Sequence, residues 1–353
     1  MKKAYKRILA GVSALAVLTV AGGSIATAVI MQKRFDRAAY PDRKLSAYYL
    51  YEDFAGRYPR ENVQFTSGGN TLQGYFYGME NDGPLLVFAH GIGTGHESYL
   101  NQLLWFVDRG WRVFAYDATG TCTSEGKGTK GLVQSVLDLD NALTFIEQDS
   151  RFSGVPVCVM GHSWGGYAAA AILEYDHKIA ASASISGYAY PVEMLDKGAE
   201  DMLGSVLGTL FHPFAWGYNQ IVFGKDAGRN AVDAANSSTT PLYVTHGELD
   251  ELIPYDSIGI YGHRGEITNP NAEFHTVSGK YAGHTKLIYS DASNDYAAEF
   301  NEGYAKIAEQ YPDGVPDDVR AAELAKADTG IVNQPNEALL SEIETFFLKH
   351  LPS

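Results

Sequence analysis

Gly161-His162-Ser163-Trp164-Gly165 is the stretch of this chain whose residue types and spacing could do chemistry. It follows the apolar run Val155–Met160 and precedes an Ala-rich helical stretch, so it reads as strand, turn and helix. In that setting the serine of G-x-S-x-G sits on a sharp, strained turn with its Oγ exposed, and the flanking glycines let strand and helix approach. A chance match in a glycine-rich loop would have neither the strand before it nor the helix after it. The chemistry would be nucleophilic. A serine hydroxyl attacks a carbonyl carbon once a base takes its proton and a third group orients the base.

The elements that must hold such a turn are legible on either side. Two short strands, Val63–Thr66 and Leu72–Met79, flank the turn Ser67-Gly68-Gly69-Asn70. Apolar runs of strand length follow at Leu85–Ala89, Arg112–Tyr116, Val155–Met160, Ala180–Ser186, Leu242–His246 and Glu273–Val277. Helical patterns cover Glu97–Arg109, Leu132–Gln148, Trp164–Tyr175 and Asn336–His350. This alternation predicts an α/β fold with a mostly parallel central sheet flanked by helices, and strands apolar on both faces agree with a sheet covered on both sides. Residues 32–62 form a polar, Tyr-rich lead-in read as a helix, and residues 63–353 form the main domain. Within it, residues 188–237 and 285–335 are too long to be simple connections and read as insertions.

With these elements in place, residues 63–350 resemble the α/β-hydrolase fold family. Leu85-Leu86-Val87-Phe88-Ala89-His90-Gly91 looks like the strand and His-Gly pair that precede the oxyanion loop. Tyr116-Asp117-Ala118-Thr119-Gly120 through Ser124-Glu125-Gly126 resembles the family's D-x-x-G-x-G-x-S-x-G turn, departing at Cys122, where a glycine is common. Thr245-His246-Gly247-Glu248-Leu249-Asp250 resembles the strand end that carries the acid. The resemblance implies the order serine, acid, histidine. It makes Ser163 the nucleophile and Asp250 the acid, over the rivals Asp256 and Glu248. It makes His284, downstream of the last strand, the base. His263 precedes that strand and His275 lies inside it, whereas His90, His96, His162 and His246 precede the acid. The oxyanion hole would be backbone N–H from Trp164, after the nucleophile, and from Ile92, after His90-Gly91.

The bulk properties bound the function. The chain has 353 residues, 45% of them hydrophobic and 20% charged, which suits one large domain with insertions. The formal net charge is −15, with +6 on residues 1–40 and −21 on the rest. An acidic body argues against a nucleic-acid partner, since phosphate binding needs a cationic surface. Of the two cysteines, Cys158 lies in an apolar run and Cys122 in a Gly/Thr-rich loop; a bridge between them stays open. No Walker motif, G-x-G-x-x-G after a first strand, or H-E-x-x-H occurs, so neither cofactor nor metal is implied.

At the N-terminus, Ile8 to Met31 run without a charge behind the basic cluster of Lys2, Lys3, Lys6 and Arg7. At ~1.5 Å per residue this run can cross a ~30 Å hydrocarbon core, so residues 1–31 are expected to be a transmembrane signal anchor. The competing reading is a signal peptide cleaved at Ala26-Thr27-Ala28, which would leave the protein secreted. With the anchor retained, the acidic domain is expected outside the cytoplasm. The leading function is hydrolysis of small carboxylic esters through an acyl-enzyme. The alternatives are cleavage of short peptides or amides by the same three residues, and a non-catalytic binding module on this fold. Residues 188–237 are expected to be a lid, because they fall after the nucleophile and before the acid, where the family resemblance implies cap insertions; their apolar stretch Met202–Phe211, with Phe214, Trp216, Ile221, Val222 and Phe223, either lines an acyl pocket or merely packs the insertion onto the core.

Overall fold

The computed structural model describes residues 2–352, except for the side chains of residues 2–4, 6–10, 12 and 14–16. Its centre is one sheet of eight strands. These are β1 (Arg60–Ser67), β2 (Asn70–Tyr77), β3 (Leu85–Ala89), β4 (Arg112–Tyr116), β5 (Val157–His162), β6 (Ile179–Ile185), β7 (Leu242–Gly247) and β8 (Ala272–Val277). Their spatial order is β1-β2-β4-β3-β5-β6-β7-β8. β1 and β2 form an antiparallel hairpin, β2 pairs antiparallel with β4, and every later pairing is parallel. The mostly parallel sheet expected from the alternating runs is what the chain forms.

Alternation along the strands divides the core in two. Leu85, Val87 and Ala89 of β3 join one apolar cluster, and Leu86 and Phe88 join the other. The first face is covered by α3 (Gln134–Gln148), α4 (Trp164–Ala171) and α7 (Ala231–Asn236); the second by α2 (Leu100–Val107) and α11 (Glu337–Lys349). Successive strand side chains point to opposite faces, so a run with no polar residue fits only a sheet buried on both sides.

Several expected boundaries move. β5 starts at Val157 rather than Val155, because Pro156 has no N–H to give a ladder. Glu97–Arg109 splits into a 3₁₀ turn at His96–Tyr99 and α2, and Trp164–Tyr175 ends in a 3₁₀ turn at Ile172–Glu174. The lead-in is not a helix. It holds two 3₁₀ turns, Arg43–Leu45 and Tyr51–Asp53, and packs through Leu50, Phe54 and Tyr58.

The two insertions are helical. Residues 188–237 hold α5 (Pro191–Leu203) and α6 (Ser205–Phe223) ahead of α7. Residues 285–335 hold α8 (Asp291–Ala308), α9 (Asp317–Leu324) and α10 (Thr329–Val332). At the N-terminus, α1 runs from Lys2 to Arg34 and packs against α6. Among the described residues no helix is long and apolar enough to cross a membrane. The uncharged run Ile8–Met31 lies partly outside the described side chains.

Candidate active site

Ser163 occupies the turn between β5 and α4 with φ 58° and ψ −114°, a left-handed conformation that a serine adopts only when its surroundings impose it. Those surroundings are backbone. A Cβ on Gly161 would collide with the Gly165 backbone, and a Cβ on Gly165 would collide with the Ala89 carbonyl. The two glycines are therefore required by close approach, and the turn lifts the Ser163 Oγ to the carboxyl end of the sheet.

Two loops meet it there. After β7, Asp250 is buried, and its Oδ1 accepts the backbone N–H groups of Leu252 at 3.0 Å and Ile253 at 2.8 Å. After β8, Ala282-Gly283 leads to His284, and Leu249 N–H to the Ala282 carbonyl (3.0 Å) ties the two loops together. His284 Nδ1 lies 2.7 Å from Asp250 Oδ2, and His284 Nε2 lies 2.8 Å from Ser163 Oγ. All three residues expected from the sequence are thus in one hydrogen-bonded line. The rivals lie elsewhere: Asp256 and Glu248 are exposed, His263 is bound to Glu193 and Glu266, and His275 stacks on Tyr243.

Two histidines that the sequence reading set aside support this line. His246 Nε2 is 3.0 Å from Asp250 Oδ2 and 2.8 Å from the Ile253 carbonyl; with two acceptors before it, Nε2 carries the proton. Burial works to raise the pKa of Asp250, but hydrogen bonds from His246 and His284 outweigh it and hold the carboxyl well below its usual range. His162 Nε2 donates to the His284 carbonyl at 2.9 Å, and its Nδ1 accepts the Tyr99 O–H at 2.9 Å. The Tyr99 oxygen accepts the Gly91 N–H at 3.1 Å. Burial and the neighbouring His284 push His162 down to about 3, so it stays neutral and adds no charge against a protonated His284. His246 could have been found from its spacing four residues before the acid. Tyr99 carries no such signal, because its partners are distant in sequence.

The Gly91-Ile92 loop is held from behind. His90 Nδ1 donates to the Gly91 carbonyl at 2.8 Å while its Nε2 accepts the Ala118 N–H at 3.0 Å, and burial lowers its pKa. Ile92 and Trp164 border the same cavity as Ser163, and the backbone hydrogen bonds of the surrounding turns use neither N–H.

That cavity is apolar. Its walls include Met194, Leu195 and Phe211 from α5 and α6, and Met31 and Phe35 from the end of α1 and just beyond. Among the described residues that line it, Arg34 is the one with a charge. Residues 188–237 therefore supply part of the wall beside Ser163, whereas Trp216 borders a separate recess with Pro191 and Val192. The contribution of α1 was not foreseen; the apolar run continuing to Met31 and resuming at Phe35 was the available sign. Cys122 and Cys158 are both free thiols. Among the described residues no group of three or more His, Cys, Asp or Glu side chains is placed to hold a metal ion.

Comparison with known proteins places this geometry. Residues 81–215 match the family model for the serine aminopeptidase group S33. A polyketide transferase of a Penicillium species is 25% identical over 136 residues, covering 37% of this chain and 46% of its own length. A second polyketide transferase, from Aspergillus fumigatus, is 24% identical over 280 residues, covering 67% of this chain and 94% of that protein. Among solved structures, an esterase of Pyrococcus furiosus superposes with a TM-score of 0.55 at 18% identity, over 78% of this chain and 97% of the esterase. The chain has the α/β-hydrolase fold.

Proposed function

We propose that the protein is a membrane-anchored serine hydrolase of carboxylic esters. One observation carries the reading: Ser163, in its strained turn, is hydrogen-bonded to His284 and opens on an apolar cavity. In the proposed reaction Ser163 Oγ attacks the acyl carbon and its proton passes to His284 Nε2. The Ile92 and Trp164 N–H groups take the oxyanion. The imidazolium, held beside ionised Asp250, protonates the leaving alkoxide, and the acyl group remains on Ser163. Water then attacks the acyl-enzyme with His284 as base, releasing the carboxylic acid and restoring the serine.

The lining favours esters over peptides. An aminopeptidase must hold its substrate's ammonium group, and among the described residues that line this cavity none is a carboxylate. The full-length protein should hydrolyse acyl nitrophenyl esters with a kcat/KM at least about a hundredfold above that for aminoacyl amides, roughly the ratio that discrimination by an unmatched polar group supplies. The reverse preference would move the reading to a peptidase. Retention of the anchor is supported by packing: a Cβ on Gly23 would run into the Phe214 ring, and Thr27 is buried. Cleavage after Ala28 would strip that cover from α6. Carbonate-washed membranes should keep the whole chain, whereas a soluble product starting near Val29 would favour cleavage.

A further inference from the structure

The sequence of α6 contains no Asp, Glu, Lys or Arg over its 19 residues. One side packs inward, with Ala215, Asn219 and Phe223 buried and Phe211 on the cavity wall. The other side presents Val206, Leu207, Leu210, Trp216 and Ile221 to the exterior, and Val206 and Ile221 are 73% and 86% exposed. Soluble proteins rarely expose so many large apolar side chains along one helix, here with Thr209 and His212 as exposed polar residues among them. What runs beside it is α1, packed on α6 where Gly23 meets Phe214. From Val17 to Val29 that helix is uncharged too, and Val17, Leu18 and Ile25 are each about two-thirds exposed.

The two faces share one depth. The uncharged run of α1 would be ~36 Å long as a helix, against a hydrocarbon core of ~30 Å, so Gly23 and Thr27 belong to the leaflet nearer the domain. Lys33 and Arg34 follow, exposed, where long cations reach headgroups. Beyond that depth, Met31 and Phe35 already touch the cavity that contains Ser163.

We propose that α6 is seated with its outer face in the leaflet beside α1, and that the substrate is a long-chain fatty acid ester taken from that leaflet. Its acyl chain passes between α1 and α6 to reach Ser163. This rests on the ester-hydrolase reading above.

The test uses the full-length protein in phosphatidylcholine vesicles. Trp105, Trp111 and Trp164 are buried, so Trp216 dominates accessible tryptophan emission. Brominated phosphatidylcholine should quench it, and Trp216→Phe should remove the quenching. Leu210→Glu and Ile221→Glu should cut hydrolysis of a long-chain ester carried in the vesicles by about tenfold or more. Both should leave kcat/KM for nitrophenyl acetate within about twofold, since neither residue borders the cavity. The quenching needs no variant that could misfold. Absent quenching with unchanged vesicle rates would overturn the proposal while leaving the esterase reading intact. Absent quenching in a chain that sediments as a dimer would assign the face to a second copy and overturn it as well. Quenching without hydrolysis of any ester would overturn the substrate assignment together with the reading it rests on.

Discussion

His162 donates its Nε2–H to the backbone carbonyl of His284 at 2.9 Å, so the residue preceding Ser163 holds the loop that carries His284. The same ring accepts the Tyr99 hydroxyl, which in turn accepts the Gly91 N–H. Burial raises the Tyr99 pKa to about 12, which keeps its proton available for donation. Through one neutral imidazole, the His284 loop, the Ser163 turn and the Gly91 loop are linked.

Tyr99→Phe should therefore lower kcat by about tenfold with KM changed by less than about twofold. It removes two hydrogen bonds, each worth roughly 0.5–1.5 kcal/mol, from groups that place reacting atoms without lining the acyl cavity. Steady-state kinetics on one soluble ester reads this split. An unchanged kcat would show that the linkage is only structural.

Asp117 sets an acid limit on stability. Its carboxylate is buried, accepting from His96 Nδ1 at 2.8 Å and from the His96 N–H at 3.1 Å. Burial opposes the charge, but His96 outweighs it and brings the group down to about 2, from an ordinary 3.8. A depressed carboxylate stabilises the fold above its unfolded pKa and loses that contribution as pH falls through the folded one. The wild type should lose about 2 kcal/mol between pH 4 and pH 2 from this group. Denaturant midpoints of Asp117→Asn should be lower at pH 7 and flatter across that acid window. Parallel pH curves for the two proteins would contradict this.

How much of this was legible in the sequence varied with the kind of constraint. β3 and β4 match their apolar runs to the residue, because Pro84 and Gly110 lie just before them and both faces are buried. Ser163, Asp250 and His284 were readable because each follows a strand whose end the sheet fixes. The lead-in was misread because its tyrosines pack against α2 and the loop at Glu97, as Tyr40 O–H to Glu97 shows, rather than along a helix face. Tyr99, His162 and Met31 gained their places only through tertiary contact. Trp216 and Phe211 have similar composition signals, yet only the folded helix separates the outer side from the cavity side.

That separation predicts different outcomes for two substitutions. Each buried CH₂ is worth ~0.8 kcal/mol, so kcat/KM should rise about fourfold per methylene until the cavity is filled. Phe211→Ala should shift the optimum chain length, whereas Trp216→Ala should leave the soluble-ester series unchanged. A flat series in all three proteins would leave α5 and α6 as plain packing and favour the peptidase reading.

Covalent labelling with a fluorophosphonate, followed by mass analysis of the modified peptide, tests whether Ser163 is the nucleophile. One adduct is expected, on Ser163, and none in Ser163→Ala, whose kcat should fall by a factor on the order of 10⁶. An adduct on another residue, or near wild-type turnover by a folded Ser163→Ala protein, would contradict it.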